Sequence, residues 1–122
     1  MSESKILAEF ITDSEGRPQY LSGSSRKHYR IRLLLKNVPH DVSRVTYKLD
    51  DSYRQPLREV PVGVPDFQEE ITSFGDSTVM AMLRRRAGTE LVTNSLSAAL
   101  KETYKDDVSP SVREALGRLQ TA

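Results

Sequence analysis

The sequence predicts an all-β protein, an antiparallel sandwich or barrel of short strands, followed by one or two C-terminal α-helices. Three observations predict it. Apolar and polar residues alternate with period two through much of the chain before Asn94. Turn-forming Gly, Pro, Asn and Asp recur about every 8–12 residues, the rhythm of sandwiches and barrels. After Asn94 the apolar spacing changes to that of a helix.

The elements follow in order. Residues 6–11 form a short apolar-rich segment, and residues 12–25, rich in Ser, Gly and Pro, read as a loop. Residues 28–36 alternate, with Tyr29, Ile31, Leu33 and Leu35 on one face and Arg30, Arg32 and Lys36 on the other. That is a half-buried antiparallel strand. Pro39 marks a turn, after which Val45, Tyr47 and Leu49 face inward across from Arg44, Thr46 and Lys48. Pro56, Pro61 and Pro65 exclude a central strand but leave room for an edge strand near residues 57–62. Phe67, Glu69 and Ile71 alternate with polar neighbours, and Ser73-Phe-Gly-Asp76 supplies a turn. Residues 77–86 and 89–93 pair across Ala87-Gly88. In the tail, Leu96, Ala99, Leu100 and Tyr104 recur at helical spacing, with Asn94 or Ser95 as cap. A second helix starts at Ser109 with Pro110 in its first turn and Val112, Ala115, Leu116 and Leu119 as its stripe. Asp106 and Asp107 precede it, where negative charge suits the helix dipole. The expected division is a sandwich domain at 1–105 and a helical tail at 106–122.

Composition narrows the function classes. The 122 residues carry 18 basic and 17 acidic side chains, a net charge of +1, unlike a basic nucleic-acid domain. Without cysteine there are no disulfides, thiolate metal sites or cysteine nucleophiles, which fits a reducing compartment. The apolar runs are too short to span a membrane and residues 1–5 lack a signal-peptide layout, so the expected location is cytoplasmic. No phosphate-binding glycine loop and no Gly-x-Ser-x-Gly elbow occurs, and calcium-loop spacing is absent at Asp50-Asp51 and Asp106-Asp107. His28 and His40 read as surface histidines. A Ser52, His40, Asp50 triad can be drawn but has no spacing that supports it. The expectation is a non-enzymatic protein with no cofactor and no metal.

Two features remain. Between Gly16 and His40 lie six basic residues and no acid, and Arg84-Arg85-Arg86 adds a second cluster. Either a basic face meets an acidic partner or phosphate backbone, or these are solvated strand faces; the latter is favoured, because aromatics do not interleave with the basics. The second feature is a pair of aromatic-bearing turns, Asp51-Ser-Tyr53 and Ser73-Phe-Gly75. At one end of a sandwich they would place Tyr53 and Phe74 face to face as a slot for a flat group, unless both aromatics simply cap the core.

The run Val45-Thr-Tyr-Lys-Leu-Asp-Asp-Ser-Tyr-Arg-Gln-Pro-Leu-Arg-Glu-Val60, followed by Phe67 and Ser73-Phe-Gly-Asp76, resembles the YEATS domain, most nearly its prokaryotic branch (pYEATS). The shared pattern is a strand ending in leucine, a Ser-aromatic pair, a proline three residues on, an Arg-x-Val, and an aromatic-Gly turn before an amphipathic strand. It covers roughly residues 28–93. The resemblance implies an immunoglobulin-like antiparallel β-sandwich that reads acylated lysine between two aromatic loops. It implies that Tyr53 and Phe74 sandwich the acyl-amide, that Ser52 hydrogen-bonds it, and that Gly75 allows close backbone approach. Three positions depart from the family pattern: Asp50 replaces a histidine, Ser73 a glycine, and Phe74 a tryptophan or tyrosine. Asp50 at the rim would suit a basic peptide. Bacterial members resemble parts of signalling and defence systems, so an effector protein is an expected partner. The alternative is an adaptor that docks through its basic face or its C-terminal helix. The sequence sets no oligomeric state.

Overall fold

A computed structural model describes residues 4–23, 26–73, 75–107 and 109–121. Eight strands and two helices occur among them: β1 Lys5–Phe10, β2 Tyr20–Gly23, β3 Arg26–Lys36, β4 Arg44–Lys48, β5 Leu57–Pro61, β6 Glu69–Ser73, β7 Thr78–Arg85, β8 Gly88–Ser95, α1 Leu96–Thr103 and α2 Pro110–Thr121. They form two antiparallel sheets. In the first, β3 carries β1 and β2 in succession along one edge and β6 along the other. The second runs β5-β4-β7-β8. The prolines near β5 are explained by its place at an edge, where no second neighbour asks for its N–H groups.

Alternation sets the core. Tyr29, Ile31, Leu33 and Leu35 of β3 are buried against Val45, Tyr47, Val60, Val79, Ala81 and Leu83 of the other sheet. Burying such side chains contributes roughly 1.5–3 kcal/mol each. The arginines expected on the outer face are there, but they are paired across the strands. Arg30 meets Glu70 at 2.6 Å and Arg32 meets Glu9 at 2.9 Å. In the second cluster Arg85 bridges Asp41 and Glu90, both at 3.0 Å. Much of the basic face of the sequence is thus a charge-paired surface in the fold.

Residues 12–25 correct the expectation of a plain loop. Thr12 bridges Pro18, Gln19 accepts the Arg30 N–H through its carbonyl at 3.0 Å, and β2 then pairs with β3. Tyr20 and Leu21 remain exposed, so burial left no alternation to read there. The β7–β8 turn falls at Arg86 and Ala87, one residue earlier than expected, because Arg85 pairs with Gly88.

The helices close the sandwich at β1. Ser95 caps α1, accepting the Ala98 N–H at 3.1 Å, and Leu96, Ala99 and Leu100 enter the core. The outward edge of β1 has no strand partner among the described residues, yet three of its backbone groups are satisfied by side chains. Asn94 donates to the Ile6 carbonyl at 3.0 Å and Thr103 to that of Ala8 at 2.6 Å. The Phe10 N–H donates to the Tyr104 hydroxyl at 2.7 Å. Helix α2 buries Val112, Ala115 and Leu119 in the same core, so its apolar stripe is covered by its own chain. None of the helices among the described residues is long and apolar enough to cross a membrane.

Tyr104→Phe keeps the ring stacked on Phe10 but strands the Phe10 N–H. A buried donor left unpaired costs about 1–3 kcal/mol. Denaturant melts of Tyr104→Phe should show that loss, and Tyr20→Phe, at an exposed ring, should show almost none.

Candidate functional site

The two aromatic-bearing turns leave the same end of the sandwich. Between β4 and β5 the chain makes an excursion closed at its base by the Leu49 N–H donating to the Pro56 carbonyl at 2.7 Å. Inside it, Asp50 nucleates a turn: its carboxylate accepts the Ser52 N–H at 3.0 Å and its carbonyl the Tyr53 N–H at 3.0 Å. Between β6 and β7, the Ser73 hydroxyl donates to the Gly75 carbonyl at 2.7 Å and accepts the Gly75 N–H at 3.3 Å. Serine at position 73 therefore fixes this turn through its own side chain.

Past the turn, the chain is fastened to α1. The Asp76 carboxylate accepts the Ser97 N–H at 2.9 Å and the Ser97 hydroxyl at 2.8 Å, and the Ser77 carbonyl accepts the Leu96 N–H at 2.8 Å. With Ser95, these groups satisfy the first three N–H groups of the helix, which would otherwise lack partners.

Between the two turns lies a cavity of about 350 Å³, lined by Asp50, Ser52, Tyr53 and Arg54 from one loop. The other loop and the strand ends add His28, Thr72, Ser73, Gly75, Asp76 and Ser77. The expected site residues Asp50, Ser52, Tyr53 and Gly75 are thus brought together, and Phe74 lies outside the described residues. Among the other lining residues, His28, Arg54, Thr72, Asp76 and Ser77 carried no expectation of a place at the site. His28 lines the cavity rather than simply facing solvent, and its period-two position at the start of β3 carried no signal for that. The Ser52, His40, Asp50 triad is not assembled. His40 precedes β4 and Asp50 follows it, so about 13 Å of extended strand separates the two ends. No cluster of three or more metal-ligating side chains occurs among the described residues.

The architecture can be compared with solved structures. The Yaf9 YEATS domain, solved recognising an H3K122suc peptide, superposes with a TM-score of 0.51. The match covers 82% of this chain and 78% of that one at 13% sequence identity. This chain has a YEATS-like β-sandwich fold. No family model matches the sequence, and no curated protein matches it.

Tyr53 lines the cavity and is held from behind. Its ring packs partly against the core. Its hydroxyl is buried with no hydrogen-bond partner among the described residues. Asp50 is a carboxylate held ionised: hydrogen bonds from the Ser52 hydroxyl and then the Ser52 N–H lower its pKa from the usual carboxylate value.

Two predictions follow from these geometries. Tyr53→Phe removes an unsatisfied hydroxyl and keeps the ring, so thermal melts should show it neutral or stabilised by up to about 1 kcal/mol. Asp50 has a depressed folded pKa, so its support of the turn is complete above the unfolded value and is lost as pH falls through the folded one. The Ser52 and Tyr53 amide resonances should therefore titrate together, with a midpoint below that of an exposed aspartate. A midpoint at or above it would contradict the hydrogen bonding.

Proposed function

We propose that this protein is a non-enzymatic binding module that takes the side chain of an acylated lysine into the cavity between the two loops. One observation carries the reading. Asp50, Ser52 and Tyr53, far from Gly75 in sequence, line a single cavity at one end of a YEATS-like sandwich. Its volume lies near the lower end of ligand sites, ~300–1,000 Å³, which suits one long side chain.

The residues divide the work by their chemistry. Tyr53 supplies a flat apolar wall for the acyl-amide, and the YEATS-like sequence pattern gives Phe74 the matching role. The Ser52 hydroxyl, held beside Asp50 by the Ser52 N–H bond to its carboxylate, has lone pairs that can accept the ligand amide N–H. Gly75 presents backbone without a side chain in the way. Acylation removes the lysine charge, so the side chain packs on the Tyr53 ring without the desolvation penalty of an ammonium. Asp50 at the rim favours basic residues flanking the modified lysine. The same reading places the protein in the cytoplasm, serving a bacterial signalling or defence system beside an effector protein; support for that context is the pYEATS-like pattern of residues 45–76 and the absence of cysteine.

An amide NMR titration with acetyl-lysine and crotonyl-lysine peptides, against the unmodified peptide, tests the site. Shifts are expected around Ser52, Tyr53 and Gly75 with the acylated peptides only. Phe74→Ala should weaken binding at least about tenfold, a loss of ~1.4 kcal/mol. Equal responses to modified and unmodified peptide, or none, would sink the reading.

A further inference from the structure

Arg58 of β5 sits where the strand pattern asks for an apolar residue. It lies directly opposite the fully buried Tyr47 in the β4–β5 pair. Opposed residues in an antiparallel pair point to the same face, so Arg58 points into the sandwich. Glu69 of β6 does the same in the other sheet, opposite the fully buried Leu33. The two side chains meet between the sheets, Nη1 to Oε2 at 3.0 Å, with exposures of only 23% and 26%. Apolar residues of similar size would hold the sheets at least as well, because a half-buried ion pair repays little more than its own desolvation. A reason other than stability is needed for charge at these two positions.

The remaining bonds of Arg58 supply that reason. Its Nε donates to the Gln55 carbonyl at 2.6 Å, two residues beyond Tyr53 in the first cavity loop. Its Nη1 also approaches the Glu70 carbonyl at 3.4 Å, on the strand that runs into the second cavity loop. The geometry points to Arg58 as a positioning residue: its planar guanidinium braces the loop bearing Tyr53 against the strand feeding Ser73 and Gly75, and so sets the width of the slot. Only a rigid fork does this. A lysine would keep the charge toward Glu69, but one compact ammonium on a flexible stem does not hold the Gln55 carbonyl at the same time. The consequence for ligand binding rests on the function proposed above, whereas the bracing itself does not.

The test exploits the lack of cysteine in the chain. Nitroxide labels on Asp51→Cys in the first loop and Leu21→Cys in β2, the latter opposite His28 on the other sheet, are both exposed and outside the cavity lining, and report the distance between the two sheets at the slot. With Arg58 present the distance distribution should be narrow. In Arg58→Lys it should broaden while amide shifts in β7 and β8 stay in place. Affinity for the acylated peptide should fall about tenfold, as for loss of a group that preorganises a site. Glu69→Ala, which removes the other anchor, should broaden the distribution as well and serves if Arg58→Lys does not fold. An unchanged width in the folded variants overturns the inference. The distances need no ligand, so broadening without any peptide binding by the parent would sink the proposed ligand and leave the brace standing.

Discussion

Strand β3 is the member on which the rest of the fold is registered. Its eleven residues pair with β1 and β2 on one edge and β6 on the other, so three strands take their position from one. Because side chains alternate with period two, a slip of one residue would expose Tyr29, Ile31, Leu33 and Leu35 together. It would also turn Arg30 and Arg32 away from Glu70 and Glu9 and into the core. The same pairing sets the cavity. Tyr29 opposite Ser73 brings His28 beside the start of the second loop, and that register decides which residues line the slot.

Three side chains at the cavity are engaged by the protein itself. Asp50 holds Ser52, Ser73 holds Gly75, and Asp76 holds the first turn of α1. The first two bonds are local and the third ties the second loop to the helix, so both loops are shaped by the protein's own hydrogen bonds. The lining also sets the carboxylates of Asp50 and Asp76 near Arg54 and His28.

The two ends of the molecule solve different problems. At β1 an open strand edge would invite pairing with another chain, and Asn94, Thr103 and Tyr104 occupy it with side-chain hydrogen bonds. At β5 and β6 an inward-facing ion pair spans the sheets. The sealed edge lends rigidity to the side carrying the helices. The ion-paired edge lies next to the loops that line the cavity.

The strands β3, β4 and β7 were legible in the sequence because each buries one face, and burial of one face writes period two into the residues. The two helices were legible from their caps and stripes for the same reason. Strand β2 was not, since Tyr20 and Leu21 stay in solvent and its existence depends on pairing with a strand outside its own neighbourhood. Of the site, the turn chemistry at Asp50-Asp51-Ser52 and Ser73-Phe-Gly75 could be read locally, because side chains there bond their own backbone. That the two turns face one cavity, that His28 joins them, and that Arg58 reaches both sides were decided only by tertiary structure. Those relations join residues distant in the chain through sheet register and packing, and no local pattern records such distances.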